Sequence, residues 1–228
     1  MNKHPLNNNL FEIKNNLFTI NKVPGKEPFE YTDHVTRTIE GKEVELRSWD
    51  PNRSKIAAAI KKGLKRAGLK DDAIMLYLGA SHGYTPSFVS DLLTKGMIFC
   101  LDFAPRVVKD LVFVCEERNN MLPILGDANK PEEYEELIPK KGVNIVFQDI
   151  AQKNQVEIFI KNCDKFLKKE GYGMIAIKAR SMDVTKNPDI IFKQVKKEFE
   201  ENKDYNIVDY RELAPFEKDH CFITVKKK

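Results

Sequence analysis

The stretch IMLYLGASHGYTPSFVSDLLTKGMIFCLD, residues 74–102, decides the fold of this chain. Residues 74–78 form an unbroken apolar run, which is typical of a parallel strand that is covered on both faces. Apolar residues recur at helical spacing within residues 88–93, and residues 97–101 form a second apolar run. The order strand, loop, helix, strand therefore predicts one βαβ unit.

A glycine loop joins the first strand of this unit to its helix. Gly79 and Gly83 bracket the loop, and Asp102 closes the second strand. Glycine lets the backbone approach a ligand closely at the carboxyl end of a strand, and an acid that ends the next strand can hydrogen-bond a ribose hydroxyl. The G-x-G-x-x-G fingerprint of dehydrogenases is absent. The loop therefore predicts a nucleoside cofactor, and a methyl donor fits better than a dinucleotide, although a tight turn alone would also explain two glycines.

Length and composition bound the class of protein. The chain has 228 residues, which suits one α/β domain with a modest appendage. Its net charge of +4 is too small to indicate a partner, so only clusters of charge are informative. The four cysteines form no C-x-x-C pair, which argues against zinc, and no other metal is indicated. Without a transmembrane run or signal peptide, we expect a soluble intracellular protein with no membrane partner.

Two parts of unequal size are predicted along the chain. Residues 1–48 carry short alternating apolar runs that are separated by the turn signals Pro24-Gly25 and Gly41-Lys42. They predict a small antiparallel β module, which we place at residues 1–50. The main α/β domain then occupies residues 51–228. Both a structural cap and a partner-binding surface are compatible with the small module.

A basic helix is predicted at the start of the main domain. It begins near Ser54, and its buried stripe extends from Ile56 to Ala67. Cations run from Lys55 to Lys70 without an intervening acid, a pattern that is most often a solvated helix face. Lys55 differs because it lies in the first helical turn, where the helix dipole disfavours a cation. We therefore expect another feature of the fold to need a positive charge there.

Three acids follow successive predicted strands. They are Asp102, Asp127 and Asp149, and each stands where an apolar run stops. In an open parallel sheet, ligands bind outside the carboxyl ends of the strands at the topological switch point. A further strand delivers Lys178 and Arg180 to the same rim. Any one acid could be a helix cap or a turn former, but three in series with the glycine loop predict a ligand site.

Seven ordered motifs give the chain a family resemblance from about residue 17 to residue 225. They are WDPNRSK (49–55), YLGASHGYT (77–85), DFAPRV (102–107), PILGDANKPEEY (123–134), QDIAQ (148–152), IAIKARSMDVTK (175–186) and PFEKDH (215–220). With these motifs the chain resembles the fibrillarin family, in the compact archaeal type that lacks a Gly/Arg-rich tail. So many matches in order make the resemblance specific, whereas a lone glycine loop would not.

The resemblance implies a fold, an activity and partners. It implies an α/β protein with a Rossmann-like S-adenosylmethionine-dependent methyltransferase fold at residues 51–228, preceded by the small antiparallel module. The expected activity is methylation of RNA ribose 2′-hydroxyls, in rRNA and possibly tRNA, as the catalytic subunit of a C/D box ribonucleoprotein. A Nop-family scaffold protein, a kink-turn-binding protein and the C/D box guide RNA would select the target RNA. The location would be cytoplasmic in an archaeon and nucleolar in a eukaryote.

Matched motif by motif, the resemblance also assigns roles to residues. The residues expected to bind S-adenosyl-L-methionine are Gly79, Tyr84, Thr85, Asp102, Phe103, Asp127, Ala128, Asp149, Ile150, Ala151 and Gln152. Asp102 matches the ribose-binding acid, and Asp127 matches the adenine side. The Lys-Asp-Lys-His catalytic arrangement of the family falls on Lys55, Asp149, Lys178 and His220.

Several positions depart from the family pattern. His82 stands where a small residue is usual, and Tyr84 stands where threonine is usual. Asp102 replaces glutamate, which keeps a ribose acceptor but shortens its reach. Gln148 replaces an acid, and Lys153 replaces proline.

The expected chemistry is mostly alignment. A ribose hydroxyl is a poor nucleophile at neutral pH, whereas a sulfonium methyl is already activated, so the enzyme has to align the groups and help with one proton. We expect Lys178 nearest the hydroxyl, either as the base or as a charge that orients it, with Asp149 holding the lysines in line. Two alternatives remain: a methyltransferase that acts on a protein side chain or small molecule, and a non-catalytic scaffold subunit.

Overall fold

The computed structural model describes residues 1–26, 29 and 32–228. In this part of the chain there are two β-sheets. The strands of the first sheet are β1 (Asn2–Lys3), β2 (Leu10–Ile13), β3 (Asn16–Ile20), β4 (His34–Ile39) and β5 (Lys42–Ser48). Those of the second are β6 (Ile74–Leu78), β7 (Met97–Asp102), β8 (Met121–Leu125), β9 (Val143–Gln148), β10 (Leu167–Lys178), β11 (Tyr205–Glu212) and β12 (His220–Lys227).

The helices flank the second sheet. They are α1 (Lys55–Lys61), α2 (Tyr84–Leu92), α3 (Pro105–Glu116), α4 (Gln155–Phe166), α5 (Ala179–Met182) and α6 (Pro188–Glu201), with short 3₁₀ turns at Pro131–Glu133 and Glu135–Leu137. Buried residues of α1, α2 and α3 pack on one face of the sheet, and those of α4 and α6 pack on the other. None of the helices in the described ranges is long and apolar enough to cross a membrane.

The first sheet confirms the predicted antiparallel module. Its strand order is β1-β2-β3-β5-β4, and every pair is antiparallel. Phe11 and Phe18 form a small apolar cluster with Leu46, whereas Leu10 and Leu17 join the main core. The two sheets therefore share buried apolar residues, and our boundary at residue 50 stays a prediction.

The helix α1 is shorter than predicted. It begins after Ser54, whose hydroxyl caps the first turn, but it ends at Lys61 and does not continue to Ala67. Gly63 has a φ of +88°, in the left-handed region where helices stop. Leu64 and Ala67 are buried as expected, but in irregular backbone. The predicted burial of Leu64 and Ala67 is confirmed. The prediction that the helix continues to Ala67 is wrong.

The second sheet confirms the βαβ unit and creates the ligand crevice. Its order is β11-β12-β10-β9-β6-β7-β8, with β6 to β10 parallel and β12 antiparallel to both its neighbours. From β6 the chain runs outward through β7 and β8 and then returns to β9 on the other side of β6. This reversal is the topological switch point, where ligands bind outside the carboxyl ends of the strands. Strand β10 begins at Leu167 and ends at Lys178, the predicted rim lysine.

Candidate active site

A cavity of about 260 Å³ opens at the carboxyl ends of β6, β7, β8 and β9. It is lined by Gly79, Ser81, Leu101, Asp102, Phe103, Gly126, Asp127, Ala128, Asn129, Asp149, Ile150, Ala151 and Gln152. An adjoining cavity of about 410 Å³ shares Gly79, Ser81 and Asp149 with it. Of the residues predicted to bind the cofactor, Tyr84 and Thr85 line the adjoining cavity, and the others line the first. The structure thus brings the predicted set together.

Gly79 allows the loop to pass against the neighbouring strand end. Its φ of +83° lies in the left-handed region, and a Cβ atom there would lie 2.3 Å from the carbonyl oxygen of Asp149. The Asp149 N–H donates to the Leu78 carbonyl at 3.0 Å, which continues the pairing of β6 and β9 into the site. Glycine is therefore needed at position 79 because the main chain of Asp149 lies so close to it. The absence of a side chain would also let a ligand approach the loop.

Asp102 holds the glycine loop and lines the cavity. One carboxylate oxygen accepts the Ser81 N–H at 3.0 Å, and the other accepts the Ala104 N–H at 3.1 Å. A carboxylate has about four lone-pair positions, so Asp102 keeps acceptor capacity for a ligand hydroxyl. The adjacent Phe103 is 67% exposed at the rim, where it offers an apolar ring to a flat ligand group.

Asp127 has a similar dual role on the next strand end. Its Oδ1 accepts the Asn129 backbone N–H at 2.9 Å and the Asn129 side-chain amide at 3.1 Å. The backbone hydrogen bond from Asn129 is the main cause that lowers the pKa of the Asp127 carboxyl. A carboxylate is therefore favoured here. Asn129 also lines the cavity and was not predicted from the sequence.

The adjoining cavity is shaped by aromatic packing at the start of α2. The Tyr84 ring meets Phe29 and Phe88 edge-on, with centroid separations of 5.3 and 5.2 Å. The guanidinium of Arg53 lies 4.3 Å from the Tyr84 ring centroid. Tyr84, the first residue of α2, is thus packed against the segment before α1. His82 pairs with Asp110 at 2.9 Å in an exposed position, as befits a loop residue.

Charged groups converge on Asp149 at the inner end of the cavity. Burial raises the pKa of the Asp149 carboxyl, while Lys55, His220 and Lys178 oppose the rise, and Glu217 adds to it. Lys55, Lys178 and His220 are therefore all close enough to act electrostatically on the Asp149 carboxyl group. Glu217 was missed as a member, although it lies in the matched PFEKDH motif.

Lys55 pairs with Glu217, and this explains the cation at the start of α1. The Lys55 Nζ lies 2.8 Å from Glu217 Oε1, and the two side chains are only 18% and 17% exposed. Burial of this kind makes the pair much less screened by solvent than a surface ion pair. The unfavourable interaction of Lys55 with the helix dipole is thus offset by its ion pair with Glu217, which lies in the loop between β11 and β12.

Lys178 and His220 lie opposite each other at the ends of two antiparallel strands. They are register partners in β10 and β12, and the Lys178 side chain is exposed. His220 Nδ1 lies 2.7 Å from the Lys218 carbonyl, to which its N–H donates. The other predicted rim cation, Arg180, donates to Asp219 at 3.1 Å and so belongs to the loop beside His220.

The chain is similar to known proteins over most of its length. A family model described as Fibrillarin matches residues 1–228. The fibrillarin-like rRNA/tRNA 2′-O-methyltransferase of Methanocaldococcus jannaschii is 55% identical over 176 residues, covering 77% of this chain and 75% of that protein. Aeropyrum pernix fibrillarin, solved with natively bound S-adenosyl-L-methionine, has 36% identity and a TM-score of 0.83, covering 98% of this chain and 96% of that one. The structure of a fibrillarin/Nop5p complex has 37% identity and a TM-score of 0.84, with coverage of 96% and 98%.

Proposed function

The chain belongs to the fibrillarin family, and on that premise we propose that it is an S-adenosylmethionine-dependent RNA ribose 2′-O-methyltransferase. The named relative acts on rRNA and tRNA, and we extend both substrate classes to this chain. The observation that carries the proposal is the meeting of the cavity at the strand ends with the charged groups of Lys55, Asp149, Lys178 and His220. The family match and the named relative favour RNA over a protein side chain or a small molecule as substrate.

The cavity fits S-adenosyl-L-methionine by its chemistry. Asp102 retains acceptor sites for ribose hydroxyls, Phe103 offers a ring face, and Asp127 offers a carboxylate to the adenine amino group. Residues 149–152 would lie beneath the sulfonium end. When bound, the cofactor supplies a methyl group that is already activated toward an oxygen nucleophile.

The protein then has to orient one ribose hydroxyl and to assist the removal of its proton. Lys178 is the exposed member of the cluster, so it is best placed to meet the ribose hydroxyl of an RNA strand. Asp149 attracts both lysines and holds them in one arrangement. Lys178 acts either as the base that takes the hydroxyl proton or as a charge that orients the hydroxyl. Both roles require its side chain at the substrate rather than at the cofactor.

We further propose that the chain works inside a C/D box guide ribonucleoprotein. A relative of similar structure forms a complex with Nop5p, which supports a Nop-family scaffold as partner. Guide RNA and a kink-turn-binding protein would complete the particle, and base pairing would select the target. The small net charge of +4 agrees with weak, salt-dependent RNA binding by the isolated chain.

Substitution of Lys178 tests the proposal. Methyl transfer is measured in particles assembled with guide RNA, target RNA and scaffold proteins, and donor binding to the isolated chain is measured by calorimetry. Lys178→Ala should leave donor binding and folding nearly intact and slow transfer by about a hundredfold to ten-thousandfold. Lys193→Ala removes an exposed lysine of α6 and serves as the control, with transfer at the parent rate.

The conservative variant separates the two roles of Lys178. Lys178→Arg keeps the positive charge but cannot act as a base. Rescue by arginine would support orientation of the hydroxyl, and failure of both variants would support the base. Transfer at the parent rate in Lys178→Ala would show that the active centre is assigned wrongly.

A further inference from the structure

The first residue of α4, Gln155, holds the main chain of Lys178 although it lies outside the cavity lining. We propose that Gln155 is a positioning residue that sets the direction of the Lys178 side chain, an inference that rests on the proposed role of Lys178. Gln155 is fully buried, at 0% exposure. A buried side-chain amide that lacks partners is costly, so its contacts are expected to be specific.

Gln155 replaces a missing strand partner at the end of β10. Pairing of β9 with β10 stops at Gln148 opposite Ile175, whereas β10 continues to Lys178. The Gln155 side chain fills the gap on the β9 side. Its Oε1 accepts the Lys178 N–H at 3.0 Å, and its Nε2 donates to the Lys178 carbonyl at 3.1 Å. One side-chain amide thus satisfies both main-chain groups of the proposed catalytic lysine.

These two hydrogen bonds determine how Lys178 faces His220. Since both main-chain groups of Lys178 point to Gln155, they point away from β12. In an antiparallel pair, residues that do not exchange hydrogen bonds bring their side chains closest together. The flanking bonds fit this alternation, because the Ala179 N–H donates to Asp219 and the Leu213 N–H donates to the His220 carbonyl. Rotation of the Lys178 peptide would therefore separate the two side chains.

Gln155 is itself held in place from β9. The side-chain amide of Gln148 donates to the Gln155 carbonyl at 2.7 Å, and Gln148 is also fully buried. Gln148 stands directly before Asp149, so the two glutamines connect the ends of β9 and β10 at the charged cluster. These hydrogen bonds tie the first residue of α4 to the ends of both strands.

Two substitutions of Gln155 and one matched control test the inference in the assembled particle. Gln155→Met keeps the size but removes both hydrogen bonds, so kcat should fall by about tenfold to a hundredfold while the donor Kd and the KM for target RNA stay within about twofold. Asn120→Leu likewise removes a buried amide that bonds two main-chain carbonyls, here those of Ser90 and Leu93, far from the cavity. It should lower thermal stability without changing kcat.

Gln155→Glu gives a pH signature that a purely structural role would not produce. A buried glutamic acid favours its protonated form, which can donate and accept like glutamine, whereas the carboxylate loses the donor. The transfer rate relative to the parent should therefore fall as pH rises for Gln155→Glu and stay level for Gln155→Met. A level ratio for both variants would contradict the inference.

Comparison with Lys178→Ala separates the inference from the function on which it rests. If Lys178→Ala is inactive but Gln155→Met retains the parent kcat, the positioning role is wrong and the proposed function stands. If Gln155→Met loses activity only in step with the stability loss seen in Asn120→Leu, Gln155 is structural alone. Should Lys178→Ala remain active, both fail.

Discussion

Gly79→Ala would test whether the close approach of β6 and β9 is needed for methyl transfer. The substitution adds one methyl group to a residue with a φ of +83°, at 2.3 Å from the Asp149 carbonyl oxygen. Ordinary contact begins near 3.4 Å, so the Asp149 segment has to withdraw by roughly 1 Å. The residue that moves is the centre of the charged cluster.

The expected loss of folding stability in Gly79→Ala has two parts, which a control variant can separate. Placing alanine in the left-handed region costs about 1–2 kcal/mol, of which about 0.4–1 kcal/mol is recovered from the smaller entropy of the unfolded chain. The forced contact adds about 1–3 kcal/mol. Gly63 has a φ of +88° with no atom within 4 Å of an added Cβ, so Gly63→Ala carries the first part alone. The two variants should therefore differ by about 1–3 kcal/mol.

The assays are thermal denaturation and methyl transfer in the assembled particle. For a chain of this size, the extra cost should lower the midpoint of Gly79→Ala by about 2–12 °C more than that of Gly63→Ala. A displacement of about 1 Å near reacting groups slows a reaction by about a hundredfold, so Gly79→Ala should lose transfer while Gly63→Ala keeps it. Equal midpoints and parent-like transfer in both variants would refute the reasoning.

Two further predictions concern the acids of the cavity. Asp127→Ala should weaken binding of S-adenosylmethionine by about 1–3 kcal/mol in calorimetry, whereas Asp183→Ala, which removes the same kind of turn bond outside the cavity, should leave it unchanged; equal affinity in both would remove Asp127 from the site. Because burial raises the pKa of Asp149, the folded chain binds a proton there more readily than the unfolded chain, so ionised Asp149 destabilises the fold above its ordinary pKa near 3.8. Asp149→Asn should therefore denature at a higher temperature than the parent near neutral pH, with the difference shrinking toward about pH 4, and a difference that grows in acid would contradict this sign.

Local sequence patterns predicted the parts of the site that one strand and its following loop supply. The apolar run before Gly79 and the acid after each strand were recognised because a strand buried on both faces has a continuous apolar signature. Parallel strands also bring their carboxyl ends to one edge, so Asp102, Asp127 and Asp149 could be grouped without a structure. The cavity lining confirms that grouping, while the individual roles stay predictions.

Contacts between distant segments were not visible in the sequence. The pairing of Lys55 with Glu217 spans 162 positions. The sequence indicated only that some other feature of the fold needs a positive charge in the first turn of α1. Gln155 gave no signal, because a polar residue at the start of an amphipathic helix is typical of an exposed position. The continuation of α1 to Ala67 was wrong because buried apolar spacing persists through irregular backbone beyond Gly63.

The junction between the two sheets contains a buried charge cluster that argues for cooperative unfolding. Asp91 of α2 accepts hydrogen bonds from Arg47 of β5 at 2.8 Å and from Arg118 after α3 at 2.7 Å, and all three side chains are at most 1% exposed. Thr19 of β3 donates to the same carboxylate at 2.7 Å. Removal of one partner from a buried ion pair costs about 3–5 kcal/mol.

Asp91→Asn should therefore lower the melting midpoint by about 6–20 °C and leave a single transition. Trp49, the one tryptophan in the sequence, stacks on Phe88 at 5.3 Å and reports on the junction by fluorescence, while circular dichroism reports on both sheets. Asp71→Asn, which breaks an exposed ion pair with Lys95, is the control and should leave the midpoint nearly unchanged. Because Asp91 links the first sheet to α2, which packs on the second sheet, the fluorescence and dichroism curves should coincide in the parent and in the variant. A fluorescence transition that precedes the dichroism transition in the parent would instead show that the small sheet unfolds by itself.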